Sequence, residues 1–285
     1  MRSMRNTAVL LIDCPDRKGL VAGVANLLYQ YGANITHADQ HQDPEAELFF
    51  MRVEWELEAF DLLRFREEFQ VLAEGFQMRW RLSLMSQPPR VAIFVSRYLH
   101  CLADLLHRFQ TGELNCSIPL IVANHPDGEA LARFHGIEFH YIPVDPADRR
   151  AAEEAQLRLL GASGIDLVVL ARYMQILPAS FVEQYPSRII NVHHSFLPAF
   201  VGARPYHAAF HRGVKLIGAT SHYVTAVLDD GPIIEQDVVR ISHREQVEDL
   251  VRKGRDLERV VLSRAVTWHL EHRILSYGNK TVIFD

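Results

Sequence analysis

The chain has 285 residues, of which 48% are hydrophobic and 23% charged, and its formal net charge is −5 at pH 7. A chain of this length and composition is expected to fold into about two domains with sizeable cores. The acidic balance argues against nucleic acid as a main partner, since phosphates are attracted by a basic surface. Cys14, Cys101 and Cys116 have neither metal-site nor disulfide spacing, which favours a reducing, cytoplasmic location. No apolar run is long enough for a membrane span or a signal peptide.

Residues 1–85 are predicted to form a small α+β domain. The predicted elements are a strand at 9–12, a helix at 20–31 ended by Gly32, a strand at 34–42, a strand at 49–57, a helix at 62–72 and a strand at 76–84. In the third strand Arg52, Glu54 and Glu56 alternate with apolar residues, which predicts one face in water. The order β-α-β-β-α-β is typical of a ferredoxin-like fold.

The loop between the first strand and the first helix reads Asp16-Arg-Lys-Gly-Leu-Val-Ala22. It resembles the start of an ACT domain, a small amino-acid-sensing module that pairs through its sheet. The resemblance implies an effector site at Asp16, Gly19, Asn34 and Ile35, with glycine or methionine as the first candidate ligands, and a homo-oligomer. Two alternatives stay open: Asp16 only caps the helix, and the domain serves only for assembly.

Residues 86–90 contain a Pro-Pro pair and are predicted to be a linker, because proline cannot continue a strand ladder. In residues 91–285 short apolar strands alternate with helices. Strands are predicted at 91–95, 118–123, 139–142, 165–170, 189–192, 215–223, 232–239 and 281–284, and helices at 102–109, 129–134, 147–160 and 245–275. This rhythm predicts a Rossmann-like domain with a mostly parallel sheet, which the last strand is expected to close.

The strand at 189–192 runs into Asn191-Val-His-His-Ser-Phe-Leu-Pro198, so it delivers an amide and two imidazoles at its carboxyl end. Ligands of open α/β sheets bind at this edge. Asn191 and His193 are two residues apart and therefore point to the same side of the strand. A second stretch supplies the carboxylate of Asp229 on a turn that continues as Asp-Gly-Pro232. Together these groups predict an acid–base site.

The two stretches in this order resemble the signature of the folate-dependent formyltransferase superfamily. The resemblance implies that Asn191, His193 and Asp229 are catalytic. It also implies that folate lies against Tyr173, Met174, Gln175, Leu177 and Val224, mainly through their backbone groups. Within the superfamily the chain is most similar to formyltetrahydrofolate deformylases, which also carry an ACT domain. The segments that carry this similarity are 96–106, 123–125, 171–175 and 202–207.

The resemblance implies hydrolysis of 10-formyltetrahydrofolate to formate and tetrahydrofolate, without a metal or a further cofactor. His194, Ser195 and His222 are expected to support the site, and Asp230 to be solvated. Two alternatives remain at this point: transfer of the formyl group to an unidentified amine, and a non-catalytic amino-acid sensor. The intact set of Asn191, His193 and Asp229 argues against the sensor.

Overall fold

The structure is a computed structural model that describes residues 6–58, 60–199 and 205–285. The chain divides into two compact units, which are taken in turn. The first consists of Met1–Pro88 with Glu271–Leu275 and Val282–Asp285, and the second of Pro89–Leu270 with Ser276–Thr281. The sequence had placed all of residues 91–285 in one domain. None of the helices within the described residues combines the length and the apolar composition that a membrane crossing needs.

The first unit is a four-stranded antiparallel sheet with two helices. Its elements are β1 (Thr7–Pro15), α1 (Leu20–Gln30), β2 (Ile35–Asp43), β3 (Leu48–Glu56), α2 (Leu62–Phe76) and β4 (Arg79–Leu84). The strand order is β2-β3-β1-β4, with β1 paired to both β3 and β4. Buried aromatic and aliphatic side chains fill the core, among them Leu10, Leu28, Trp55, Phe65 and Phe69. The predicted ferredoxin-like arrangement is confirmed.

One boundary in this unit differs from the prediction. The alternation of apolar residues placed the start of the last strand at Phe76, but α2 continues to that residue. Gln77 then takes a left-handed backbone conformation with φ 57° and turns the chain into β4. Helical and strand periodicities overlap over these few residues, so the pattern alone could not place the boundary.

The face of β3 that was predicted to be solvent-exposed is partly covered. Arg52 is only 5% exposed, because its guanidinium donates to the backbone carbonyls of His272 (3.1 Å) and Glu271 (3.2 Å) and pairs with Glu54 at 2.8 Å. These C-terminal residues belong to the same compact unit. The predicted exposure of Arg52 was therefore wrong, since alternation within a strand cannot report cover by residues more than two hundred positions away.

The second unit is built on a seven-stranded sheet in the order β11-β10-β9-β8-β5-β6-β7. Its strands are β5 (Arg90–Val95), β6 (Ser117–Ala123), β7 (Glu138–Tyr141), β8 (Leu167–Ala171), β9 (Ile189–His193), β10 (Leu216–Tyr223) and β11 (Ile233–Arg240). Its helices are α3 (His100–Gln110), α4 (Glu129–Phe134), α5 (Arg149–Ala162), α6 (Ala179–Val182), α7 (Pro205–Arg212) and α8 (Val247–Leu270). The short helices α6 and α7 were not predicted.

The pairings of β5 with β6 and β8, and of β8 with β9, are parallel, whereas β10 is antiparallel to both β9 and β11. The mostly parallel sheet is thus confirmed. Because β5 has β6 on one side and β8 on the other, the chain order reverses there, and ligand crevices form at such switch points.

The last predicted strand does not close this sheet. It pairs instead as β13 (Lys280–Ile283) with β12 (Ile274–Tyr277) in a separate two-stranded sheet. Helix α8 ends at Leu270, which leaves room for β12 before the turn. A short terminal strand carries no local signal of its pairing partner, because pairing is decided by non-local contacts.

Candidate active site

The centre of the site lies where β9 and β10 run side by side. Asn191 and His193 are on β9, and the antiparallel register places His222 of β10 directly opposite Asn191. His193 is 6% exposed and His222 is 2% exposed. The sheet therefore fixes the spacing of an amide and two imidazoles in a largely dehydrated place, where hydrogen bonds are strengthened.

Asp229 is delivered by the loop that joins β10 to β11. It takes a left-handed conformation with φ 54°, and its Oδ2 lies 3.3 Å from Nδ1 of His193. The loop can turn back this tightly because residue 231 is glycine: a Cβ there would lie 1.7 Å from the carbonyl oxygen of Tyr223. The predicted meeting of Asp229 with His193 is thus present in the structure, built by a glycine-dependent turn.

Asp229 is held ionised by its neighbours. The hydrogen bond from His193 lowers the pKa of the Asp229 carboxyl, and electrostatic attraction to His193 adds to this against the opposing effect of burial. A carboxylate only accepts, so Nδ1 of His193 carries the proton. Nε2 of His193 is buried and has no hydrogen-bond partner in the described part of the chain. The free nitrogen is therefore the one whose protonation can change.

His222 is held in one tautomer. Its Nδ1 lies 2.9 Å from the carbonyl oxygen of Tyr223, which can only accept, so Nδ1 is protonated. Burial lowers the pKa of His222, and the ring is neutral with Nε2 as an acceptor. That nitrogen lies 3.2 Å from Nδ2 of Asn191 and 3.8 Å from Asp229. His222 thereby orients the Asn191 amide, a specific role that sequence reasoning had left as general support.

A cavity of about 260 Å³ opens in front of these residues. Of the residues predicted to bind folate, Met174, Gln175, Leu177 and Val224 line it. The side chain of Tyr173 does not: it is 2% exposed and packs in the core, where its hydroxyl accepts a hydrogen bond from Gln156 at 2.7 Å. The folate contact predicted for Tyr173 was mainly through its backbone, and it stays a prediction.

The other expected residues have clear positions. His194 also lines the cavity, Ser195 donates to the carbonyl of Ala199 at 2.8 Å, and Asp230 is exposed. Residues 202–204 of the deformylase-like segment 202–207 lie outside the described residues. Arg172, which had been given no role, is in the cavity wall. Two signals were available for Arg172: its place directly after a buried strand, and its position within the deformylase-like segment 171–175.

The predicted effector residues of the first unit are all exposed. Asp16 does not cap α1, which begins after Gly19, with φ 94°, and has no side-chain cap. Asp16 instead accepts from Gln42, and Asn34 donates to Glu56 at 3.3 Å. Ile35 is 37% exposed. In a single chain these residues do not form one site, because Asp16 lies beside the end of β2 and Asn34 beside the end of β3, at opposite ends of the sheet. The capping alternative is wrong.

Comparisons with known proteins agree along the whole chain. The formyl transferase family matches residues 89–266, and the ACT domain family matches residues 8–54. The chain is 57% identical to the formyltetrahydrofolate deformylase of Synechocystis, over 98% of each chain. It is 49% identical to that of Bacillus subtilis, over 97% of this chain and 93% of the relative.

The chain belongs to the formyltetrahydrofolate deformylase family. A crystal structure of the formyltetrahydrofolate deformylase from Pseudomonas syringae superposes with a TM-score of 0.97 at 51% identity, covering 100% of this chain and 96% of that one. Both domains of the deformylase family are therefore present here in the expected order.

Proposed function

We propose that this chain hydrolyses 10-formyltetrahydrofolate to formate and tetrahydrofolate, which supplies formate for purine synthesis and balances one-carbon pools. The relatives that match over the full length carry this activity in their names. The observation that carries the proposal is the convergence of Asn191, His193 and Asp229 in one cavity, with one imidazole nitrogen left unpaired. Such an arrangement of an amide, a base and an orienting carboxylate suits acyl transfer to water.

Asn191 would stabilise the tetrahedral intermediate. When water adds to the formyl carbon, the carbonyl oxygen becomes an oxyanion that needs a donor. One N–H of the Asn191 amide is directed to His222, and the other is left for the oxyanion. A preorganised donor of this kind typically contributes about 3 kcal/mol to transition-state stabilisation.

His193 and Asp229 would handle the protons. Nε2 of His193 takes a proton as water forms its bond to the formyl carbon, and returns it to the folate nitrogen as the C–N bond breaks. Asp229 stabilises the intermediate imidazolium, because the carboxylate is ionised and lies beside Nδ1. The products are the neutral amine and formic acid, which ionises to formate and a proton, so no other reactant is needed.

The direct test is release of formate from 10-formyltetrahydrofolate by the purified full chain with no added acceptor. Hydrolysis predicts equal amounts of formate and tetrahydrofolate. If 10-formyltetrahydrofolate is consumed only after an amine is added, and no formate is released, the chain is a formyltransferase instead. No turnover under either condition would favour the sensor.

The regulatory half of the proposal concerns the first unit. An ACT domain is the amino-acid-binding kind of module, and we propose glycine or methionine as its ligand near Asp16, Gly19, Asn34 and Ile35. Strand β2 is at the edge of its sheet and is exposed along nearly its whole length, which suits pairing with a second copy in a homo-oligomer. A cytoplasmic location is part of the proposal, and Cys14, Cys101 and Cys116 are unpaired, as a reducing compartment would have them.

A further inference from the structure

A second cavity of about 280 Å³ adjoins the first and shares Arg172, Met174 and His194 with it. Arg172 directly follows β8 and takes a left-handed conformation with φ 65°, as does Met174 with φ 58°. Non-glycine residues in this region are strained, and such strain tends to be kept where a side chain must be aimed at a ligand. The guanidinium of Arg172 is thereby placed in the wall common to both cavities.

The Arg172 side chain is 8% exposed and poorly satisfied. Its Nε and Nη1 have no hydrogen-bond partner among the described residues. A buried charged donor without an acceptor costs several kcal/mol, so native proteins rarely leave one without a ligand or water. The group lacks an acceptor, and an anion would supply one.

The nearest carboxylate does not meet this need. Glu258 lies 3.5 Å from Nε of Arg172, but its Oε1 already accepts from Tyr206 at 2.6 Å and its Oε2 contacts His100 at 2.7 Å. Burial acts against ionisation of Glu258, yet the contacts with His100, Arg172 and Tyr206 hold its pKa below the usual value. Glu258 balances the charge of Arg172 without completing its hydrogen bonds.

The outer wall of the second cavity is cationic. The ring of Tyr98 contacts two guanidinium groups, and its centroid lies 5.4 Å from that of Arg172 and 5.7 Å from that of Arg255. Arg255 is exposed and has no acidic partner in the described chain. Glu258 follows Arg255 by three residues on α8, but its oxygens are already engaged by Tyr206 and His100. With the charge of Glu258 counted against that of Arg172, Arg255 leaves a net positive charge in the wall of this cavity.

We propose that Arg172, backed by Tyr98 and Arg255, forms a binding site for a small monocarboxylate, the formate released in the proposed reaction. Formate is planar and carries two oxygens, which match the parallel N–H donors of a guanidinium. It arises beside Asn191 and His193, in the cavity that Arg172 also lines. The ionised Asp229 repels the anion on one side, and Arg172 attracts it on the other, so the second cavity is the exit for formate while tetrahydrofolate still fills the first.

The inference rests on the proposed function only for the identity of the ligand, and binding can be measured without turnover. The experiment follows ¹³C-formate by NMR line broadening with the full-length enzyme, alone and with tetrahydrofolate added. We expect millimolar binding that persists with tetrahydrofolate present. Arg172→Met is expected to weaken formate binding by about tenfold or more. Arg172→Lys should weaken it less, since lysine keeps the positive charge but lacks the two parallel N–H donors of the guanidinium.

Arg255→Gln changes an exposed side chain and should weaken formate binding roughly threefold through the lost charge. Arg150→Gln is the matched control, because Arg150 is an exposed arginine of the same unit, on α5, paired with Glu154. It should bind formate as the wild type does. Thermal unfolding of each variant checks the fold, and if Arg172→Met does not fold, Arg255→Gln and Arg172→Lys carry the test.

Unchanged formate binding in the folded Arg172 and Arg255 variants overturns the site, as does loss of binding when tetrahydrofolate is added. A second arm measures KM for substrates with and without the glutamate tail of folate. If the substitutions raise KM only for the tailed substrate, these arginines bind the folate carboxylates, and the formate site is rejected. Formate binding by an enzyme that releases no formate would instead reject the proposed function alone.

Discussion

The candidate active-site cavity and the predicted effector loop contrast in how their residues are held. In the cavity, His193 and His222 are almost fully buried, and each meets a partner from another strand or loop. In the effector loop, Asp16 and Asn34 are exposed and are satisfied by ordinary surface hydrogen bonds. Both sets were predicted from short motifs of similar length.

The difference shows what one chain can complete by itself. The second unit gathers its groups from β9, β10 and the following loop, so burial, tautomers and ionisation are fixed within the unit. The loop of the first unit offers backbone donors on one open side, and a closed pocket there needs a second surface. Turnover should thus respond strongly to single substitutions in the candidate active site and weakly to those in the effector loop.

The largest effect is expected for Asp229→Asn. An amide cannot stabilise the imidazolium and can hold the wrong tautomer of His193, so kcat should fall by roughly 10²–10⁴-fold. Steady-state kinetics and a folate-binding titration check this, with binding expected within about tenfold of the wild type because the shape is unchanged. Asp230→Asn is the control at the adjacent exposed residue and should be nearly silent. A turnover above a tenth of wild type in Asp229→Asn would remove the carboxylate from the mechanism.

A smaller loss is expected for His222→Phe, which keeps a planar ring and removes the acceptor for Asn191. The amide then loses its fixed orientation, and kcat should fall by about tenfold to a hundredfold, with little change in KM. The comparison with His211→Gln, an exposed histidine on α7, separates this from a general histidine effect. A change confined to KM would show that His222 shapes the folate pocket and does not position Asn191.

The first unit contains a partly buried histidine, His272, that should matter for stability only. Burial, with the nearby charges of Arg81 and Arg52, lowers the pKa of His272 to about 4. Between the ordinary histidine pKa of about 6.5 and this lowered value, His272 binds a proton in the unfolded chain but not in the folded chain. The free energy of unfolding is therefore highest above about pH 6.5 and falls as the pH drops towards 4.

His272→Gln should therefore flatten the pH dependence of the unfolding free energy between about 6.5 and 4, by roughly 1–3 kcal/mol, and leave turnover at pH 7 unchanged. Urea unfolding at a series of pH values measures this. The same slope in the variant and the wild type would assign the acid sensitivity to other groups.

The smallest effect is expected from the effector loop. Saturating glycine or methionine should shift the rate several-fold, since allosteric coupling is typically about 1–3 kcal/mol. Gly19→Ala should reduce the response, because a side chain would stand where a ligand approaches the backbone. Gly112→Ala is the matched control: both glycines have positive φ, 94° and 76°, and so both variants incur backbone strain, but Gly112 follows α3 in the second unit, remote in sequence from every predicted effector residue.

Calorimetry at millimolar amino acid decides this prediction. If neither amino acid binds, the first unit is an assembly surface for this chain. Equal loss of response in both glycine variants would assign the effect to backbone strain and not to the loop.

The sequence by itself determined the elements and the centre of the site. Alternation and helical spacing predicted most of the strands and helices of both sheets, because these periods are set within a few residues. The spacing of Asn191 and His193 placed them on one side of a strand for the same reason. The Asp-Gly-Pro turn after Asp229 likewise signalled the loop that delivers the carboxylate.

Only the tertiary structure decided which distant groups meet. The register of β9 against β10 places His222 opposite Asn191, and no local pattern specifies that register. Tyr173 packs into the core while its neighbour Arg172 lies in the wall of two cavities. Arg52 is buried by residues from the far end of the chain. Each of these outcomes depends on packing between segments remote in sequence, whereas periodicity and turn chemistry report only on neighbours.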